Sequence, residues 1–242
     1  MPAPTVLGMD HLIPDLPDSS AARHAVEHVR SCESEPVANH SVRSYLFARL
    51  LAEHEGLKAG ADFDADLLFF ACVLHDLGTS PRAPGKQRFE VEGADMAVEF
   101  LTGHGYGVRE TDLVWEAIAL HTSPGIAERR GALASLTRGG VGGDFGIGVD
   151  FVTDAQGEAV HSRYPRLNMA TVLVDDIVRH AARAPQAAAR FTLAGELARE
   201  RGELARERGD LARQRGDLAR ERGDLGAPTA LERTAAASRW GA

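Results

Sequence analysis

Leu67-Leu68-Phe69-Phe70-Ala71-Cys72-Val73-Leu74 runs without a polar break straight into His75-Asp76. An apolar run of this kind, with an N-cap candidate at Asp64 and a glycine at Gly78, predicts a core helix that ends at the His-Asp pair. Burying an imidazole beside a carboxylate is costly unless something binds them. A cation is the simplest such partner. His75 shares a helical face with Leu68 and Cys72, and Asp76 lies one residue round, so both are expected to project from the last turn toward one centre.

Outward from this run the chain reads as helical. Pro17-Asp18-Ser19-Ser20 supplies helix-start chemistry for a segment to about Cys32, and Val37 to Glu55 carries helix-period hydrophobics and stops at Gly56. Further helices are predicted at 89–102, at 111–121 beginning on Thr111, and at 168–183. No stretch alternates as a strand does, so the expected fold class is all-α. Thr79 to Gln87 holds two prolines and a glycine, and Arg138 to Asp154 is glycine-rich; both are predicted to be loops of the sort that rim active sites.

Residues 1–16 read as an irregular lead-in, 17–190 as the domain, and 191–242 as a tail of different character. Gly195, Gly202, Gly209, Gly216 and Gly223 mark a seven-residue repeat of Gly-Glu/Asp-Leu-Ala-Arg-Glu/Gln-Arg. Each repeat offers one Leu-Ala pair as a seam, and a glycine per heptad costs about 1 kcal/mol relative to alanine. Pairs such as Arg199 with Glu203 and Arg206 with Asp210 return only about 0.2–0.5 kcal/mol each. The tail is therefore expected to be a frayed, solvated helix or disordered, a low-complexity extension without chemistry.

The formal net charge of −8, with no basic cluster outside the tail, argues against a nucleic-acid or anionic-membrane partner. A small-molecule substrate fits better. The longest apolar run falls far short of the roughly 20 residues of a membrane helix, and no basic segment leads into a hydrophobic core at the N-terminus. A cytoplasmic protein with its two cysteines, Cys32 and Cys72, reduced is expected, and a homo-oligomer is left open.

Three further residues extend the His-Asp pair into a series. His40 lies on the stripe of Ser44, Phe47 and Leu51 and is expected to point inward. Asp144 follows a glycine cluster, where an aspartate serves equally as turn chemistry or as a ligand. His121 lies on the stripe of Val114 and Ala117, facing the interior either to relay protons or to bond a backbone carbonyl. Glu90 and Glu92 open a helix, where the dipole favours carboxylates whatever their chemistry; Glu90 is also a candidate to reach the site. Trp115, Phe47, Phe69, Phe70 and Phe100 read as packing, and His24, His28, His54, His104, His161 and His180 carry no partner pattern.

Five ordered blocks carry a resemblance: Asn39-His40-Ser41-Val42-Arg43-Ser44, Leu74-His75-Asp76-Leu77-Gly78-Thr79, Arg88-Phe89-Glu90-Val91-Glu92-Gly93-Ala94, Trp115-Glu116-Ala117-Ile118-Ala119-Leu120-His121-Thr122-Ser123 and Gly143-Asp144-Phe145-Gly146. Together they resemble the cyanamide hydratase branch of the HD-domain superfamily of metal-dependent hydrolases, over residues 20–185 and without the repeat tail. The resemblance implies an HD-domain helical bundle that holds one zinc ion by His40, His75, Asp76 and Asp144 and leaves a position for water. The residue types alone suit manganese, iron or cobalt as well. Phe89 stands where two-metal relatives place a histidine, which implies a single ion, and Thr79 stands where phosphohydrolases of the superfamily place a lysine. Arg82, Lys86 and Arg88 lie downstream as substitutes for that cation.

A divalent ion lowers the pKa of bound water toward roughly 7 and so supplies hydroxide as a nucleophile near neutrality. The resemblance then implies a zinc-dependent hydro-lyase that adds this hydroxide to a small nitrile such as cyanamide, giving urea. Asp76, His121 and Glu90 are the candidates for handling protons and substrate. The alternatives are a phosphohydrolase acting on a nucleotide or other phosphate ester, which needs cationic clamps, and a silent metal-stabilised regulatory domain. A small apolar-walled cavity would favour the nitrile, and an Arg/Lys-lined cleft the phosphate.

Overall fold

In the computed structural model, which describes residues 12–215 and 227–240, the chain builds ten α-helices and, among the described residues, no strand. Helix α1 (Ser20–Cys32) is capped by Ser19, whose Oγ accepts from the Ala22 amide, and α2 (Glu35–His54) carries Pro36 in its first turn. Asp64 caps α3 (Ala65–Val73) by accepting from the amides of Asp66 and Leu67. Then come α4 (Phe89–Gly103), α5 (Val108–Leu120), α6 (Ala132–Asp144), α7 (Asp154–Arg163) and α8 (Met169–Ala181). The expected all-α class is observed, and no described helix is long and apolar enough to cross a membrane.

Every residue of α3 from Leu67 to Val73 is buried, as its unbroken apolar sequence requires. It is the central rod, with α1, α2, α5 and α6 packed round it and α4 laid against α5. Cys32 and Cys72 are both buried and free.

Three departures from the sequence reading have physical causes. First, α5 begins at Val108 rather than Thr111, because the Glu110 carboxylate turns back to accept from the Gly107 amide at 2.7 Å and so caps an earlier turn. Second, α7 went unpredicted although Thr153 and Gln156 form a reciprocal capping box at its start. Third, the glycine-rich segment from Arg138 is not a loop up to Asp144; it is the second half of α6. Its glycines allow a close approach to α2. A Cβ on Gly140 would lie 2.2 Å from the Ser44 carbonyl oxygen and 2.7 Å from the Ala48 Cβ. Close packing outweighs the poor helix propensity of glycine here. From Phe145 the chain does turn irregular, as expected.

The tail opens as a helix, one of the two forms expected of it. Its first three repeats, 195–215, lie in α9 (Leu193–Arg215), in which Ala194 and Leu197 are buried against Leu173, Val174 and Ile177 of α8. A short α10 (Ala230–Ala237), opened by a Thr229/Glu232 capping box, packs on α8 as well. Buried Arg201 ties the three helices together, reaching Asp175 of α8 at 2.9 Å and Glu232 of α10 at 3.0 Å. The anticipated Arg199–Glu203 pair is present at 3.7 Å, whereas the Asp210 side chain and repeat residues 216–226 lie outside the described residues.

The α2–α6 contact is open to a direct test. Gly140→Ala should lower the unfolding free energy by about 1–3 kcal/mol in a urea titration, because backbone blocks the new methyl. Gly103→Ala, where a Cβ meets nothing within 4 Å, should leave stability unchanged or raise it by up to about 1 kcal/mol. Equal effects of the two substitutions would show that close approach is not the reason for the glycine.

Candidate metal centre

The first helical ligand candidate, His40, sits fully buried in α2, with Arg43 one turn further on. Because α6 lies so close to α2, Asp144, its last residue, meets both. Arg43 Nε donates to Asp144 Oδ1 and Arg43 Nη2 to Oδ2, each at 2.7 Å, and His40 Nδ1 lies 2.6 Å from the same Oδ2. The remaining guanidinium nitrogen donates to the carbonyls of Tyr164 at 3.0 Å and Pro165 at 3.1 Å. A buried arginine fully satisfied in this way fixes a carboxylate by two parallel bonds.

His75 and Asp76 come from the other side. Helix α3 stops at Val73, so the pair occupies the turn beyond it rather than its last turn, followed by a 3-10 turn over Leu77–Thr79. The Thr79 hydroxyl and amide both donate to the Asp76 carbonyl at 2.8 Å and lock this turn. Gly78 lets the start of α4 press against it: a Cβ there would stand 1.8 Å from the Phe89 carbonyl oxygen. The His75 Nδ1 is 2.7 Å from the Cys72 carbonyl and donates to it, which leaves Nε2 as the lone-pair nitrogen.

Nε2 of His40, Nε2 of His75 and Oδ2 of Asp76 thus converge, all within 4.8 Å of one another. The carboxylate oxygen is 3.1 Å from His75 Nε2 and 3.6 Å from His40 Nε2. All three atoms are buried without a hydrogen-bond partner. Buried acceptors pointed at one another repel unless a positive charge lies among them. Two imidazoles, each with its far nitrogen already donating, and one carboxylate are a donor set that fits a divalent ion.

Asp144 takes a different place from the other three. Expected as a fourth ligand, it stands behind His40 instead, with both oxygens engaged by Arg43 and one of them accepting from His40 Nδ1. Arg43 was the residue that sequence reading passed over; the signal was a charge one turn from His40 on a buried helix face. His161, also unassigned, lies 3.6 Å from Asp144 Oδ1.

Burial acts against every charge here, and the partners decide the outcome. Desolvation would raise Asp76, but His75 and His40 draw it down to about 2. Desolvation would raise Asp144 too, and the Arg43 charge with bonds from His161 and His40 takes it well below the usual carboxylate range. Burial lowers His40 despite Asp144, while His75 is raised because the Asp76 carboxylate outweighs its desolvation.

A cavity of about 190 Å³ opens over this cluster. His40, His75 and Asp76 form its floor, and Phe89, Val141, Phe145, Leu173 and Ile177 are among the apolar side chains of its wall. His121 lines it as well, its ring edge-on to that of His75 with centroids 4.8 Å apart. Its Nδ1 donates to the Ile118 carbonyl at 2.6 Å, and burial, reinforced by His75, lowers its pKa to about 4. It is therefore neutral at neutral pH, with Nε2 as the nitrogen left over. Glu90 is not on the wall. Its buried carboxylate holds Arg88 at 2.9 Å and accepts from the Thr122 hydroxyl, so it braces a lining residue from behind. Phe89 packs edge-on against His121.

The HD domain matches residues 37–181, a span that contains His40, His75, Asp76, His121 and Asp144. The chain belongs to the HD-domain family. Within that family it is similar to the cyanamide hydratases DDI2 and DDI3 of Saccharomyces cerevisiae, each 26% identical over 158 residues that cover 63% of this chain and 68% of the relative. The HD domain ends at the close of α8, so α9 and α10 lie outside it.

The ion pair at the back of this HD centre should dominate its stability. Arg43→Met, which strands Asp144 as an unpaired buried charge, should cost about 3–5 kcal/mol in chemical denaturation. The pH dependence has a definite sign. Asp144 is depressed in the folded state, so its contribution is present above its ordinary value of 3.8 and is lost as pH falls through the lower folded value. That acid-side loss should shrink in Arg43→Met; an unchanged acid profile would mean that Arg43 does not set the ionisation of Asp144.

Proposed function

We propose that this HD-domain protein adds water across the triple bond of a small nitrile, cyanamide foremost, to give urea, with one divalent ion held by His40, His75 and Asp76. The observation that carries this reading is the cavity: about 190 Å³, walled by apolar side chains, with the three unsatisfied buried atoms on its floor. It has room for an ion, a few waters and a molecule of only a few non-hydrogen atoms. A phosphate ester would need cations. Arg138 is the one basic side chain on the wall among the described residues, and its Nε is paired with Glu128 at 2.7 Å. Arg88 is engaged by Glu90, and neither Arg82 nor Lys86 lines the cavity. A silent regulatory domain has no use for such a pocket. The printed names of the two yeast relatives point to the same chemistry.

Bound there, a divalent ion would acidify water toward neutrality and withdraw charge from a nitrogen. The chain's own residues supply the rest. Asp144, gripped by Arg43, accepts from His40 Nδ1 and so keeps Nε2 of that ring turned to the cluster, while the Cys72 carbonyl does the same for His75. The apolar wall excludes bulk water and aligns a short linear substrate. His121 is the proton carrier in this scheme. Its neutral Nε2 takes a proton from the attacking water as the new C–O bond forms and one π bond of the nitrile opens onto nitrogen. It then returns that proton to the nitrogen. The resulting isourea tautomerises to urea, and no leaving group departs. Asp76, whose free oxygen faces the two imidazoles, holds positive charge in place instead of shuttling protons.

Urea release from cyanamide by protein loaded with zinc, compared with phosphate release from a nucleotide panel, tests the reading. Urea without phosphate is the expected result; phosphate without urea would reverse it. His75→Ala should lose both bound metal, read by elemental analysis, and activity. His121→Ala should keep its metal and lose about 10²–10⁴-fold in kcat. Full activity in His121→Ala would remove it from the reaction.

A further inference from the structure

Two of the side chains around the cavity come from neither the metal centre nor the HD domain. Leu193 opens α9 and Leu231 lies in the first turn of α10, and both line the cavity although the HD domain ends at residue 181. Each is only partly buried, packed at the edge of the core cluster around α8 with a face left to the cavity. Leu193 and Thr122 also line a second, larger cavity of about 740 Å³, bounded by Arg190, Phe191 and Arg199. A side chain shared by two cavities stands between them. Leu193 and Thr122 therefore form the partition, and Thr122 is held in place by its bond to buried Glu90.

The partition is rigid on both sides. Thr192 closes its hydroxyl on the Ala189 carbonyl at 2.6 Å and accepts from the Gly195 amide at 3.1 Å, fixing the first turn of α9. Immediately before it, Phe191 adopts φ 64°, an uncommon conformation for an aromatic residue, which turns the chain into the helix. Arg201 then clamps α9 to α8 and α10 through Asp175 and Glu232, so Leu193 and Leu231 are presented from a single braced unit.

We infer that Leu193 and Leu231 are specificity-determining residues: the C-terminal extension, and not the HD domain, sets the upper size limit of the substrate. Leu193 does so by separating the small cavity over the metal centre from the larger one beside it. The inference rests on the nitrile reading for its substrate class, but its geometry does not depend on turnover. In a hydrophobic pocket a single methylene is worth a factor of 10–200 in discrimination, so shortening either leucine should be plainly visible.

The test uses the full chain loaded with zinc and a pair of probes, cyanamide and the longer 3-phenylpropionitrile. Leu193→Ala and Leu231→Ala should raise kcat/KM for 3-phenylpropionitrile relative to cyanamide by about tenfold or more. Leu193→Met and Leu231→Met, which conserve volume, should retain the discrimination of the parent. Binding of 3-phenylpropionitrile is followed in parallel by ligand-observed NMR. If the parent makes no urea, the functional reading fails while the binding arm still reports on the wall. Should an alanine variant not fold, the valine variant at the same position is measured in its place. A gain in binding of the long probe by the shortened variants supports the inference. Folded variants at both positions that bind it no better than the parent overturn it.

Discussion

The buried contact of Arg43 with Asp144 is the constraint on which the rest of the molecule turns. Its two parallel hydrogen bonds join α2 to α6 where glycine lets the backbones meet, and they leave the carboxylate one further acceptor site for His40. One ion pair therefore performs two tasks. It fastens the innermost helix pair, and it sets the tautomer of an imidazole whose other nitrogen faces the cavity. A carboxylate without Arg43 would be too costly to bury at this depth, and without the carboxylate the ring of His40 would have no preferred orientation.

His75 and Asp76 follow a different logic. They sit on a turn held by backbone: the Cys72 carbonyl on one side, the Thr79 hydroxyl and amide on the other, and the start of α4 pressed against Gly78. The centre thus has one rigid wall made by charge and one made by close packing. The apolar lid of Phe89, Phe145 and the α8 side chains keeps bulk water from screening either. The neutrality of His121 follows from that burial.

Much of this could be read from residues alone. An eight-residue apolar run ending in His-Asp foretold both the central helix and the polar pair at its end, and Asp64, Ser19 and Gly56 marked helix ends as capping chemistry requires. Periodicity turned His40 and His121 inward, where they are. What escaped was whatever depends on a partner distant in sequence. The glycines of α6 look like a loop until Ser44 and Ala48 are seen against them, and the hold of Arg43 on Asp144 spans 101 residues of chain. Glu90 was a candidate to reach the site, but only the Thr122 hydroxyl reveals that it sits behind the wall. The helical character of the tail was legible, but its docking was not: a thin seam is poor for self-association, yet Ala194 and Leu197 are adequate for packing on α8.

That docking tethers the extension at two places. The extension is pinned at its beginning by Ala194, Leu197 and Arg201, and at its end by Arg239, which bonds the carbonyls of Val149 and Val152, and by Trp240 against His161. Both described ends of the extension are thus tethered to the domain, which keeps Leu193 and Leu231 in register with the cavity they line.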